Sequence, residues 1–227
     1  MDRTNNIAAG DKPSGWRGSA DLWIGAAYDV LVDKGVDAVK LGALSDRLGL
    51  SRTSFYGHFD SREALLAELV RRWEARNTGT LVARAEAYAE SIAEALFNLF
   101  DCWLDPALFD ARLDLAIRNW ALGDPALRTV IEATDRTRIA AIRGMFTRFG
   151  FPPREAEVRA FTVYYTQIGY IAMMVREPVA LRIRRMPAYV LTFSGRPPTA
   201  AEIARFAARH GADPADLALD DKPHAPG

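Results

Sequence analysis

Apolar residues recur at spacings of three and four through most of the chain, the period of α-helices that bury one face. The first such pattern begins at Ser19. It sets Trp23, Ala27, Val30 and Leu31 on one face, with Gly35 as a stop after Lys34. Leu41, Leu44 and Leu48 share a face of a short second helix that Gly49 ends. Ser51 can cap a third helix, running to about His58, by accepting a hydrogen bond from a free N–H of its first turn. A fourth, over 61–76, is announced by Asp60 or Ser61 and by Glu63, whose carboxylate suits the positive end of the helix dipole. Further helices are predicted over 81–104, 107–121, 125–149, 153–176, 179–193 and 199–210. Their limits come from pairs such as Asp105-Pro106, Gly123-Asp124-Pro125, Pro152-Pro153 and Glu177-Pro178, which helices do not run through easily. Thr199 with Glu202 three residues on reads as a capping box. Pro187 makes the helix over 179–193 either kinked or two pieces. With no β-alternation of useful length and no internal repeat, the fold class is all-α.

Residues 1–18 carry Gly, Pro, Asn and Ser without periodicity and are expected to be a flexible N-terminal arm. The Ala/Pro/Asp-rich stretch 211–227 is expected to be a flexible tail. The run from Ala160 to Val175 has no charge. It is shorter than the roughly 18 to 20 residues that span a bilayer and contains two Thr and a Gln, so it reads as a helix buried in protein. A helix apolar nearly all round must be covered on more than one side, which points to a four-helix dimer interface made by 153–176 and 179–193 of two chains. The first twenty residues lack the apolar core of a secretory signal.

A chain of 227 residues suits one large domain or a small one joined to a larger one. Hydrophobic residues at 49% and charged residues at 26% place it among ordinary soluble proteins. Lys plus Arg and Asp plus Glu both total 29, so any case for a polyanionic partner must be local. A single cysteine, Cys102, excludes an internal disulfide and suits a reducing, cytoplasmic compartment.

The local case lies in GLSRTSFYGHFDSREALL, residues 49–66. Two short helices joined by a Gly-containing turn form a helix-turn-helix, whose second helix enters the DNA major groove. Leu41, Leu44, Leu48, Leu50 and Phe55 can make its core, leaving Arg52, Thr53, Ser54, Tyr56, Gly57 and His58 on the outer side and ends of the third helix. Arg pairs bidentately with a guanine edge, Thr and Ser meet polar edges or a thymine methyl, and Tyr and His donate to phosphates. The plainer readings are a solvated Arg52, a core Tyr56 and a His58 that caps its helix; the motif around them favours DNA contact.

The segment from Trp23 to Leu66 resembles the DNA-binding region of the TetR-type transcriptional regulators, through Lys34-Gly35, Ser51, Phe55-Tyr56, His58-Phe59 and Ser61-Arg62-Glu63-Ala64-Leu65. The resemblance implies that Arg52, Thr53, Ser54 and Tyr56 face bases or groove wall and that Tyr56, His58 and Arg62 touch phosphates. The later run RNWALGDPAL and the FGFPPREAE segment also look like the regulatory domain of such proteins. One departure is Lys40, standing where members place a Thr or Ser; it can reach phosphate but cannot cap. Another is charge. Residues 1–76 hold 11 basic and 11 acidic side chains, yet from Lys40 to Arg62 four basic residues face only Asp46 and Asp60.

The implied organisation is a three-helix helix-turn-helix DNA-binding domain over 19–66, then a helical regulatory, ligand-binding and dimerisation domain over 67–210. Its partners would be a palindromic double-stranded operator, a second copy of the chain and a small, largely apolar effector, with no membrane and no cofactor. The fourth helix joins the two halves. Phe100, Trp103, Phe109, Trp120, Tyr165 and Gln167 are the candidate effector-site residues, aromatic walls with polar anchors. An enzyme is not expected: metal-ligand, P-loop and dinucleotide motifs are absent, and Asp101, Asp105, Asp110 and Asp114 are assigned to solvated helix faces. His210 and His224 receive no role. The alternative is a helical protein-interaction or ligand-binding module without DNA binding.

Overall fold

The computed structural model describes residues 19–219, so the expected arm over 1–18 and the last residues of the expected tail lie outside the described residues. Eleven α-helices and three short helical turns are present, with no strand among the described residues. The chain divides into two compact units, the first ending at Leu69 and the second beginning at Val70.

The first unit contains α1 (Ala20–Lys34), α2 (Leu41–Leu48), α3 (Arg52–Tyr56) and the first turns of α4 (Arg62–Trp73). Trp23, Ala27 and Leu31 of α1 are fully buried, and Leu44, Phe55 and Leu65 come from the other three helices to meet the same core. Gly35 ends α1 with φ 81, and Gly49 ends α2 in the left-handed region with φ 64, where a residue with a Cβ is strained. Ser61 begins α4: its Oγ accepts from the Ala64 N–H at 3.1 Å.

The second unit contains the last turn of α4, a π-helical turn (Glu74–Thr78), α5 (Gly79–Glu86), α6 (Ile92–Leu104), α7 (Ala111–Ala121), α8 (Pro125–Arg148), α9 (Pro153–Ala172), α10 (Val179–Ser194) and α11 (Ala200–Arg209). Its core gathers Leu96, Phe97, Leu99, Ile142, Phe146, Ala160, Val163, Val190 and Phe206 from α6, α8, α9, α10 and α11. The helix expected over 81–104 is broken. Ser91 caps α6 by accepting from the Glu94 N–H at 3.1 Å, and the Glu94 carboxylate reaches back to the Glu90 N–H at 2.9 Å. Ser91 and Glu94 stand three residues apart, a start signal outweighed in the sequence by the longer apolar period. The helix expected from 107 starts at Ala111, where Asp110 accepts from the Leu113 N–H at 2.9 Å. α9 ends at Ala172, four residues before the expected limit, and Met174 adopts φ 52 just beyond it. α10 runs through Pro187 as one helix, and the capping box of Thr199 and Glu202 is present. Part of the expected tail is ordered too: Pro214–Leu217 forms a 3-10 turn, capped by Asp213, that buries Leu217.

Candidate nucleic-acid interface and cavity

α3 is five residues long, so its placement depends on what holds each end. At the start, Ser51 accepts from the Ser54 N–H at 3.2 Å. From within, Phe55 is 1% exposed and meets the Trp23 ring edge-on, with centroids 5.2 Å apart and planes at 80°. These anchors leave Arg52, Thr53, Tyr56 and His58 exposed on the outer side. Tyr56 is 59% exposed, a large fraction for an aromatic ring whose neighbour forms the core. The Arg52 guanidinium lies beside the start of α2: a Cβ on Gly42 would sit 3.4 Å from Arg52 Nη2. Lys40 precedes α2 as its N-cap, exposed and without a side-chain capping bond.

Two of the predicted contact residues are placed differently. Arg62 was expected at phosphate. Its Nε donates to the Val39 carbonyl, its Nη2 donates to the Val36 carbonyl at 2.7 Å, and Glu63 Oε1 lies 3.6 Å from Nη1. The guanidinium thereby ties the start of α4 to the turn before α2. Ser54 was expected at the bases, but its Oγ is enclosed and has no hydrogen-bond partner. Arg47 is paired with Asp29 at 2.6 Å. Among the described residues, Lys40 and Arg52 are exposed cations on this surface.

In the second unit, α6, α9 and α10 surround a cavity of ≈ 50 Å³. Phe100 and Trp103 face it from α6, Val163, Thr166, Gln167 and Tyr170 from α9, and Arg182, Met186, Tyr189 and Phe193 from α10, with Glu177 between the last two helices. Of the six effector-site candidates, Phe100, Trp103 and Gln167 are brought together here. The other three are not. Phe109 is buried against the Arg138 guanidinium, 5.3 Å from its ring centroid; Trp120 is half-buried on α7; Tyr165 is 58% exposed and stacks on Phe161 at 5.5 Å. The contribution of α10 escaped the sequence reading although it was legible: positions 182, 186, 189 and 193 follow the helical period.

A buried polar cluster was also missed. Asp114, expected in solvent, is completely buried, as is Arg138, and the two pair at 2.9 Å. Asp114 also accepts from Arg118 Nε at 2.8 Å and from the Trp73 indole at 2.8 Å. Arg118 reaches on to Asp135 at 2.6 Å, and Tyr164 donates to the same carboxylate at 2.6 Å. Asn77, in the π-helical turn, donates to the Asp110 carbonyl at 3.0 Å and accepts from its N–H at 2.9 Å. Burial alone would raise the Asp114 pKa, but Arg138 and Arg118 outweigh it and hold the carboxyl below the usual carboxylate range. Burial pushes the Tyr164 phenol up, which keeps it a donor. The remaining nitrogen of Arg138, Nη2, has no hydrogen-bond partner, and the guanidinium is flanked instead by the rings of Trp73 and Phe109 at 5.0 and 5.3 Å. Asp101 and Asp110 are buried as well; Asp101 meets His210 Nε2 at 2.9 Å, which gives that histidine a structural partner.

None of these groups forms a catalytic constellation. The Cys102 thiol, buried, is pushed up to about 12 and stays protonated at neutral pH. Among the described residues no group of three or more His, Cys, Asp or Glu side chains is placed to hold a metal, and no helix is long and apolar enough to cross a membrane.

A short capped helix with polar side chains outward, second in a helix-turn-helix, is the arrangement by which such motifs enter the DNA major groove. Residues 24–69 match the family described as bacterial regulatory proteins, tetR family. The N-terminal region accordingly matches the DNA-binding domain of TetR-family transcriptional regulators. Solved structures share the fold: a transcriptional regulator from Rhodococcus sp. Rha1 is 22% identical, with 85% of this chain and 97% of that chain covered and a TM-score of 0.55. A regulator of the TerR/AcrR family from Aquifex aeolicus VF5 is 15% identical, with 78% and 96% covered and a TM-score of 0.58. A candidate TetR-family regulator from Mesorhizobium loti is 17% identical, with 88% and 98% covered and a TM-score of 0.52. No curated protein matches the chain.

Proposed function

We propose that the protein is a homodimeric repressor that holds a palindromic operator and releases it when a small, largely apolar ligand enters the cavity between α6, α9 and α10. The observation that carries the DNA reading is the outward set of Arg52, Thr53 and Tyr56 on a helix fixed by Ser51 and Phe55. Arg52 and Thr53 read base edges, while Lys40, Tyr56 and His58 meet backbone; Ser54 and Arg62 support the surface without touching DNA. A dimer through α9 and α10 is supported by their exposed apolar side chains, Val158, Tyr165, Met173, Val179 and Leu191. Two such chains place their α3 helices in successive major grooves, so half-sites lie about 34 to 36 Å apart.

Ligand control is supported by the arrangement of α9. Val163 faces the cavity, and the next residue, Tyr164, belongs to the cluster around Asp114 that holds Trp73, the last residue of α4. A ligand that shifts α9 acts on that turn. Selection of DNA from a random pool by the purified full chain tests the reading. A palindromic consensus is the expected result; no enrichment at low salt from a folded dimer would reassign the chain to a helical interaction module.

A further inference from the structure

The cavity walls are mostly aromatic and aliphatic, yet the polar groups at its edge are unequally satisfied. Glu177 has a partner on each oxygen: its Oε1 accepts from the Tyr170 hydroxyl at 3.2 Å and its Oε2 from Arg185 at 2.8 Å. Arg182 is not. One nitrogen, Nη2, donates to the Trp103 carbonyl at 2.7 Å, and the guanidinium lies 4.8 Å over the Tyr170 ring, but the side chain pairs with no carboxylate among the described residues. The same Trp103 keeps its indole N–H enclosed without an acceptor. Two donors, joined through one residue's backbone, are thus left facing a cavity whose single carboxylate is already occupied. The indole N–H lacks an acceptor, and Arg182 lacks a counter-charge among the described residues. The sequence around the cavity edge adds to the asymmetry, since Arg176, Arg182, Arg184 and Arg185 stand near Glu177 alone.

Resting on the reading of this cavity as the effector site, we propose that its ligand is a small monocarboxylate, with the anionic head on Arg182 and the Trp103 indole N–H and the apolar body between Phe100, Val163, Met186 and Phe193. A neutral acceptor satisfies the indole and leaves Arg182 without a counter-charge. An ammonium group meets two donors and a carboxylate already paired with Arg185. Size narrows the class: ≈ 50 Å³, at about 10–15 Å³ for each water-sized group, holds roughly three to five such groups. A short acyl chain suits this space.

The test uses three probes of matched length, butyrate, butyramide and butylamine, titrated calorimetrically into the full-length protein. Butyrate is expected to bind about tenfold more tightly than either of the others, because a charge-assisted hydrogen bond is stronger than a neutral one. In Arg182→Gln that preference disappears, and in Arg182→Lys it persists. Should the Gln variant lose its helical circular dichroism, Trp103→Phe decides instead, since it removes the N–H and keeps a ring; a several-fold loss for butyrate is expected. Absence of butyrate binding overturns the proposal, as does butyramide or butylamine binding as tightly. So does unchanged butyrate affinity in both Arg182→Gln and Trp103→Phe. The effector reading is scored separately by operator affinity. Butyrate bound with operator affinity unchanged removes ligand control and leaves the carboxylate site standing, whereas release of the operator by butyramide in preference to butyrate keeps ligand control and removes the carboxylate.

Discussion

Arg52 and Arg138 are the same residue type in opposite circumstances. Arg52 is exposed on a five-residue helix. Arg138 is completely buried between two aromatic rings and bonded to Asp114, Thr78 and Tyr164. In the first region Arg52, Thr53 and Tyr56 face outward from a backbone fixed from behind by Phe55, which suits recognition of an outside molecule. In the second, nearly every polar atom is consumed within the protein. Desolvating two charges is costly, so such a cluster contributes a unique arrangement of α7, α8 and α9 more than net stability. An arginine on the surface waits for a partner; one in the interior must bring its own.

The largest effect expected from breaking this contrast comes from Asp114→Ala. Removing the carboxylate leaves Arg138 buried without its counter-charge, and such a change costs about 3–5 kcal/mol. Urea unfolding followed by circular dichroism measures it, and a loss below about 1 kcal/mol would mean that the cluster admits water or rearranges. The pH dependence has a fixed sign. The Asp114 pKa is held down in the folded state, so its contribution is fully present above the unfolded value of about 3.9 and is lost as pH falls through the lower folded value. Asp114→Ala should therefore flatten the acid limb of stability against pH while lowering the plateau.

Arg62 lies between the two extremes, and Arg62→Ala sharpens the comparison. With its donors on the Val36 and Val39 carbonyls, its loss should destabilise the first unit by about 1.5–3 kcal/mol, the range for a hydrogen bond to a charged group. The dependence of DNA affinity on salt should change little. Hydrogen exchange over 36–65 together with a salt titration separates the two, and a flattened salt slope with unchanged exchange would return Arg62 to the phosphates.

Arg62 also illustrates what was readable in advance. The helix periods, the cap at Ser51, the capping box at Thr199 and the core roles of Trp23, Leu44 and Phe55 are local facts, carried by spacing within one or two turns. Whether an arginine on such a helix faces solvent or a carbonyl more than twenty residues away is a tertiary fact that spacing does not encode. Asp114 shows the same limit: its i,i+4 neighbour Arg118 looks like an exposed pair, and only the arrival of Arg138 from α8 and Trp73 from α4 makes the site an interior one. Three of the cavity residues, Phe100, Trp103 and Gln167, were found because aromatic walls with polar anchors are a compositional signal. The rest, four of them on α10, were missed because the helical period marks a face without showing that it packs inward.

Arg52→Ala is expected to act at one place only. If the side chain reads a base edge, the substitution should relax specificity at one symmetric pair of operator positions by about 1–3 kcal/mol per half-site. Binding to operators with each base changed in turn measures it. Equal losses on every variant would confine Arg52 to the backbone.

The smallest effect is expected at Lys40. Its ammonium is exposed before α2 and has no capping bond to the helix, so Lys40→Ala should leave unfolding unchanged within about 0.5 kcal/mol. A phosphate contact at this position releases counterions, and its removal should reduce the slope of log affinity against log salt by about 0.9 per subunit. Between 50 and 200 mM salt, that makes the loss of affinity about 3-fold smaller per subunit than in the wild type, with the same change on every DNA sequence. Lys40→Arg should restore the slope, because the charge and not the shape of the group carries the interaction. A wild-type slope in Lys40→Ala would place Lys40 beyond the reach of the backbone, and the surface charge that meets DNA would then rest on Arg52 with the neutral donors of Tyr56 and Thr53.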